Sequence, residues 1–281
     1  MKEGELFEDL DHQLKTQGYA IIDLPLSQRQ LRTAQSSFKD FLTLPGETKQ
    51  GIFVPESYPG IEDSIAGYVQ SKRKQGSSDN KQHFHYNQVL ASQFSKKPGL
   101  DPKVINFFNH AEELYHATHQ TLEDVFDAFE TQYSGIKSYF FPEDGLTQLY
   151  NRYIQYEFDE DNLSIAKPHL DRGGFTMAIY ESKPGLRLHH FDGQEYITTN
   201  VQAHPNKAII FPGYKLPKVM KQLGYDCPYQ ALAHDVIIKE IGKQIRNSTV
   251  TFLDPCIDIP VRGDPTHFAE DSQLMRHLRS L

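Results

Sequence analysis

The chain has 281 residues and a formal net charge of -8 at pH 7, and hydrophobic residues make up 38% of it. This apolar content excludes a disordered chain, and the acidic balance argues against a surface that binds nucleic acid. Two cysteines cannot build a disulfide framework, and neither an apolar leader nor a stretch long enough to span a bilayer is present. We therefore expect one cytoplasmic domain over residues 1–281, with no nucleic-acid or membrane partner.

The first part of the chain, residues 1–145, is predicted to be mostly helical with short strands. Ser27 is placed to cap a helix, and the strongest helical signal covers residues 102–130, where apolar residues recur at a spacing of three and four. Residues 51–80 are rich in glycine, proline, serine and charge. We expect that segment to be a long loop or a mobile flap.

The second part of the chain, residues 146–256, changes to short runs of β-branched and aromatic residues, which are separated by turn-forming residues. Several short strands at this spacing are typical of a β-sandwich or jelly roll, so we expect a mainly β core with a helical framework. Residues 257–281 form a C-terminal tail. The predicted strands are 148–156, 175–180, 186–190, 195–199, 207–211, 231–238 and 248–253.

A candidate metal site is predicted from His169 and Asp171, which are two residues apart. On a strand such residues point to the same side, and His234 on a neighbouring strand would complete a set of two histidines and one carboxylate. That set leaves three positions open on an octahedral iron(II). The pair alone is weak support, because the chain has 13 histidines and a histidine hydrogen-bonded to a nearby aspartate is the simpler alternative.

A candidate anion site follows from Arg246 and Ser248, which also share one side of a strand. A guanidinium group binds a carboxylate through two parallel hydrogen bonds, and a hydroxyl can add a third. The alternative is an arginine in a weak surface pair. The apolar residues Val250, Phe252 and Leu253 indicate a central strand instead, where a buried arginine needs an anionic partner.

In these residues the chain resembles the isopenicillin N synthase-like branch of the 2-oxoglutarate and iron(II)-dependent dioxygenases. The core pattern of that family is HxD, then a distant histidine, then RxS. The segment HLDRGGFTMAIY is similar to the family's HxDxGxLTLL, KAIIFPGYKL to AFVVNIGDxL, and RNSTVTFLDP to RxSxxxFxxP. The resemblance covers nearly the whole chain in order. Departures include Tyr214, which stands where the family has aspartate in its IGDxL strand.

The resemblance implies a double-stranded β-helix, or jelly roll, wrapped by helices. It also implies iron(II), 2-oxoglutarate as co-substrate and dioxygen, acting on a small organic molecule by hydroxylation, desaturation or ring closure. Arg246 and Ser248 would hold the distal carboxylate of 2-oxoglutarate. The segment 151–153 is similar to the family's NxY, which assigns Tyr153, and more weakly Asn151, to the same co-substrate.

Other functions remain open at this point. One is an iron(II) oxidase that does not use 2-oxoglutarate and whose RxS residues bind a carboxylate of the substrate. A second is a non-catalytic binding protein on the same fold, which the complete triad argues against. A remote third is a zinc hydrolase, since zinc also accepts two histidines and a carboxylate. His83 and His85 share one face and either contact the substrate or point to solvent.

Overall fold

The computed structural model describes residues 3–54, 66–71, 81–94, 97–143, 145–158, 164–202, 204–237, 244–257, 259 and 272–280. Eight helices lie in these ranges, and none of them is long and apolar enough to cross a membrane. The helices are α1 Glu3–Gln17, α2 Gln28–Leu42, α3 Gly46–Gln50, α4 Gln88–Phe94, α5 Pro102–Glu130, α6 Ile136–Phe140, α7 Leu216–Gln222 and α8 Gln273–Leu278.

The strands of the described ranges form two antiparallel sheets. The large sheet has eight strands in the order β1-β10-β7-β12-β5-β4-β3-β2, and the small sheet has four in the order β6-β11-β8-β9. This mainly β architecture is consistent with a jelly-roll core. The strands are β1 Ala20–Asp23, β2 Phe53–Val54, β3 Ala66–Ser71, β4 Lys81–Tyr86, β5 Gln148–Phe158, β6 Ser164–His169, β7 Phe175–Glu181, β8 Leu186–Phe191, β9 Tyr196–Asn200, β10 Lys207–Pro212, β11 Ala233–Ile237 and β12 Gln244–Asp254.

A layer of helices covers one side of the large sheet. Helix α2 begins at Ser27, whose side chain accepts a hydrogen bond from the backbone of Gln30 in a capping box. Helix α5 has the predicted bounds, and its apolar stripe is buried. The rings of Phe38 on α2 and Phe107 on α5 contact Tyr153 of β5, with centroid distances of 5.8 and 5.1 Å. The helices therefore pack on the sheet through one continuous aromatic core.

The segment 51–80 differs in part from the predicted loop. Strands β2 and β3 lie in it; β3 pairs with β4 on one side and with the end strand β2 on the other. Residues 55–65 and 72–80 of that segment lie outside the described residues. The seven strands predicted in the second part are all present, with ends that shift by a few residues, and β6 is an additional strand.

The two faces of the large sheet have different roles. The face that we call inner is turned to the small sheet, because Ile154 and Tyr156 of β5 form one apolar cluster with Ile165, Ala166 and Val236 of the small sheet. The opposite face, called outer, packs on α2 and α5. Because side chains alternate along a strand, the pairing of β5 with β12 decides which residues enter the barrel.

Candidate metal centre

His169, Asp171 and His234 converge at one end of the barrel. One ligand atom from each lies within 4.8 Å of the others. His169 is the last residue of β6 and is the direct cross-strand partner of His234 on β11, which brings the two imidazole rings to a centroid distance of 4.2 Å. Asp171 lies just after β6, not on the strand as predicted. Its carboxylate oxygens are 3.7 Å from His169 Nε2 and 3.3 Å from His234 Nε2.

The orientation of both imidazoles is fixed by the backbone. His169 Nδ1 lies 2.7 Å from the carbonyl of Lys167, and His234 Nδ1 lies 3.2 Å from the carbonyl of Leu232. A carbonyl can only accept, so each Nδ1 carries a proton, and in the neutral imidazole this leaves the lone pair on Nε2. Hydrogen bonds of this kind orient metal-binding histidines in proteins. Both Nε2 atoms are therefore directed at the space beside Asp171, which fits a divalent metal ion.

The position of Asp171 is fixed by two further contacts. The hydroxyl of Thr176, at the start of β7, donates to a carboxylate oxygen over 2.6 Å. The backbone N–H of Tyr214 donates to the Asp171 carbonyl over 2.8 Å. Gly213 is needed there, since a Cβ at this position would collide with the carbonyl of Gly173. These contacts hold the carboxylate in place without a metal ion.

The charge states of the triad suit metal binding. Burial would raise the pKa of Asp171, but the imidazoles of His234 and His169, the Thr176 hydroxyl and the charge of Arg152 lower it below the usual value. Burial lowers the pKa of His234 to about 4. At neutral pH the site thus offers an anionic carboxylate and a neutral imidazole, which are the forms that bind metal ions.

The predicted anion anchor lies on the inner face, where Arg246 and Ser248 are both buried. Arg246 already has a partner of opposite charge that the sequence did not indicate. Its Nη2 donates to Glu181 over 2.6 Å and its Nε to the carbonyl of Lys183 over 3.1 Å. Its other terminal nitrogen, Nη1, makes no hydrogen bond with a described residue. The side chains of Arg246 and Glu181 are only 4% and 5% exposed, so this ion pair lies deep in the barrel.

The structure places Tyr153 and Asn151 away from the metal side, which argues against their predicted role in binding 2-oxoglutarate. They are paired with Thr249 and Thr251 and lie on the outer face. The Asn151 side chain accepts hydrogen bonds from Thr118 of α5 and from Thr251. Burial raises the pKa of Tyr153 well above its usual value. The two residues belong to the core between sheet and helices.

Arg152 takes the inner position between these two residues. Its guanidinium carbon lies 4.5 Å from the ring centre of Phe252, and its Nε donates to His85 Nε2 over 2.6 Å. Phe252 is the cross-strand partner of Thr176, the residue that holds Asp171. Arg152 and His85 therefore lie on the wall that continues from the metal ligands. The threonine of the family pattern HxDxGxLT would have identified Thr176, whereas no signal in the sequence identified Arg152 or Glu181.

A second polar cluster lies on the other side of the small sheet. Asp235 follows His234 and points away from the triad, where it accepts two hydrogen bonds from Arg187. His189 Nε2 lies 3.4 Å from the same carboxylate. Because strand alternation separates Asp235 from the metal ligands, we interpret this cluster as a structural contact.

No protein-family model matches the chain, and no curated protein does. Several solved structures do match the chain. A Neurospora crassa protein, in complex with alpha-KG (2-oxoglutarate) and 5-formyluracil, is 17% identical over 90% of this chain and 79% of its own, with a TM-score of 0.66. A 2OG-Fe(II) oxygenase family protein of Caulobacter crescentus is 20% identical over 99% and 95%, also with a TM-score of 0.66. AtDAO1, a dioxygenase for auxin oxidation from Arabidopsis thaliana, is 13% identical over 94% and 91%, with a TM-score of 0.61.

These similarities define the class of fold. The chain has the jelly-roll fold of the 2-oxoglutarate and iron(II)-dependent oxygenases, and it presents two histidines and a carboxylate at one point of that fold. The fold confirms the expected architecture. The closer placement in the isopenicillin N synthase-like branch stays a prediction.

Proposed function

We propose that this protein is a 2-oxoglutarate-dependent iron(II) dioxygenase that oxidises a small organic molecule. The convergence of His169, Asp171 and His234 carries the proposal, because three ligands on one side of an octahedral ion leave room for a chelating co-substrate and dioxygen. The solved structures support it, since the Neurospora crassa protein was crystallised with alpha-KG and 5-formyluracil and JOX2 with 2OG, Fe and JA. A cytoplasmic location also remains a prediction.

The residues of the site would have separate roles. Nε2 of His169, Nε2 of His234 and a carboxylate oxygen of Asp171 would hold the ion, and Thr176 would keep that carboxylate in place. Arg246 and Ser248 would bind the distal carboxylate of the co-substrate at the deep end of the barrel. Bound iron(II) would supply the reaction of dioxygen, in which one oxygen atom enters succinate as 2-oxoglutarate loses carbon dioxide and the other oxidises a substrate C–H bond.

An anaerobic titration with iron(II) and 2-oxoglutarate tests this proposal. We expect one iron(II) per chain and a visible charge-transfer band when 2-oxoglutarate is added, followed by slow formation of succinate once oxygen is admitted. His169→Ala and His234→Ala should abolish iron binding. Stoichiometric iron binding in both variants, or neither band nor succinate in the native protein, would contradict the proposal.

The anchor needs a separate test because Arg246 is paired with Glu181. We expect the double variant Arg246→Leu/Glu181→Leu to bind iron as the native protein does. Its affinity for 2-oxoglutarate should be lower by about a hundredfold or more, since the distal carboxylate would be buried without a charge partner. A 2-oxo acid that lacks the distal carboxylate, such as 2-oxobutyrate, serves as control and should lose little affinity. Equal loss for both acids would rule out the anchor.

The same ion pair favours a second candidate function. Glu181 neutralises Arg246 at the deep end of the barrel, so a free carboxylate must share or displace this partner. An iron(II) oxidase that does not use 2-oxoglutarate, and whose substrate leaves the pair of Arg246 and Glu181 intact, has no such requirement. It would bind iron normally, show no charge-transfer band with 2-oxoglutarate, and consume oxygen only when its own substrate is present.

A further inference from the structure

The wall beside the metal ligands carries an arginine whose charge no described carboxylate compensates. Among the described residues Arg152 forms no ion pair, and its one hydrogen bond there runs from Nε to His85. Its guanidinium group lies over the ring of Phe252, which Tyr150 stacks against at 5.2 Å and 23°. A cation held over aromatic faces keeps its terminal N–H groups available for an anion.

A second polar group of this wall lacks a partner within the described part of the chain. His83 is the neighbour of His85 on the inner side of β4, with a ring distance of 4.9 Å, and only 8% of it is exposed. Its Nδ1 is buried and makes no hydrogen bond with a described residue. Buried polar atoms are nearly always hydrogen-bonded, so such an atom in an enzyme wall suggests a ligand group or a bound water.

The two inner arginines differ in depth. Arg246 is 3% exposed and is paired with Glu181, whereas Arg152 is half-buried. His169, the metal ligand at the open end, has a side chain that is 34% exposed. A molecule that arrives from solution therefore reaches Arg152 and the metal ligands before it reaches Arg246. Because a chelating co-substrate would extend from the metal to the deep arginine, the arginine nearer the opening is left for the molecule to be oxidised.

We propose that Arg152 is the anion anchor of the primary substrate, and that this substrate is a small organic carboxylate with a planar body. The guanidinium group would bind the carboxylate, and the stacked pair of Tyr150 and Phe252 would contact the planar part. The proposal rests on the proposed function, since it assigns a role to the wall of that active site. The cross-strand contact between Phe252 and Thr176 brings the anchored molecule close to the metal ligands.

The test compares benzoate with benzamide, two planar probes of the same shape that differ in charge. Their dissociation constants are measured by calorimetry on anaerobic protein loaded with iron(II) and 2-oxoglutarate. We expect benzoate to bind about 10- to 100-fold more tightly than benzamide. Arg152→Met should remove that preference, Arg152→Lys should keep part of it, and Arg29→Gln on the exposed face of α2 is the matched control.

The outcomes separate this proposal from the proposed function. Binding of iron and 2-oxoglutarate is measured first on each sample, and its absence in the native protein would refute the proposed function alone. The anchor is refuted if native protein binds both probes equally or if Arg152→Met keeps the preference. It is also refuted if Arg152→Met weakens 2-oxoglutarate instead of benzoate. If Arg152→Met does not fold, the probe ratio in Arg152→Lys decides in the same way.

Discussion

The buried ion pair between Arg246 and Glu181 makes the stability of the apoprotein sensitive to a single substitution. Arg246→Leu removes the cation and leaves the Glu181 carboxylate in a place where its side chain is 5% exposed. It also removes the Nε donor to the Lys183 carbonyl. The variant therefore reports on a buried carboxylate that has lost its ion pair with Arg246, and not only on the loss of a ligand contact.

The expected magnitude follows from this burial. Breaking a buried ion pair by removing one partner costs about 3–5 kcal/mol, while replacing both partners by apolar residues is often neutral. We expect Arg246→Leu to lower the free energy of unfolding by about 3–5 kcal/mol. The double variant Arg246→Leu/Glu181→Leu should have a free energy of unfolding within about 1 kcal/mol of the native value, and the remaining difference reflects the lost hydrogen bond to Lys183.

Urea unfolding of the metal-free protein, followed by circular dichroism, measures both values. Lys207→Met is a matched control, because it breaks the pair with Asp23 whose side chains are 45% and 76% exposed. Such a surface pair contributes about 1 kcal/mol or less. The reasoning would be refuted if Arg246→Leu destabilised the protein no more than this control, or if the double variant were as unstable as the single one.

Three further substitutions test other parts of the structure. Thr176→Val keeps the shape of the side chain but frees Asp171, so iron(II) affinity in a chelator competition should fall about 10- to 100-fold; unchanged affinity would contradict this. Tyr153→Phe should change the free energy of unfolding by about 1 kcal/mol or less and leave 2-oxoglutarate binding unchanged, because the hydroxyl has no hydrogen bond of normal geometry with a described residue. A tenfold loss of 2-oxoglutarate affinity would support the role predicted from the sequence. Burial, with Arg152 and Lys81, lowers the pKa of His83 to about 2, and the unfolded chain binds that proton below about pH 6.5. The free energy of unfolding of the native protein should therefore fall as the pH drops below that value. Between neutral pH and pH 4.5, His83→Leu should lose about 2–3 kcal/mol less of this free energy than the native protein does. The same pH dependence in both proteins would contradict the burial argument.

The convergence of the three candidate metal ligands could be predicted from the sequence because it depends on local geometry. Two residues that are two apart fall on the same side of an extended segment, and this held for His169 and Asp171 although Asp171 lies beyond the end of β6. The same rule placed Arg246 and Ser248 together on the inner face. Such predictions need only the alternation of side chains and the identity of the donor groups.

The outward position of Asn151 and Tyr153 could not be predicted from the sequence, because the side to which a strand residue points depends on the pairing of that strand. Both residues match the NxY pattern of the family, but the register of β5 against β12 turns their side chains to the helices and turns Arg152 inward. A shift by one residue exchanges every side chain between the two faces. Neither the sequence of β5 nor its composition contains that register, since residues about a hundred positions away set it.

A β-bulge decides which charges the barrel encloses. Pairing between β12 and β7 shifts after Val250 and Ala178, so that Ser248 lies opposite Glu181 and not opposite Tyr180. The extra residue, Ile179, thus brings a carboxylate inside. If β7 kept all its residues but had no bulge, regular alternation would place Tyr180 inside and turn Glu181 to the helical layer, away from Arg246. Gain or loss of this bulge is therefore a route by which relatives of this chain could change the charges that the barrel encloses without any substitution at His169, Asp171 or His234.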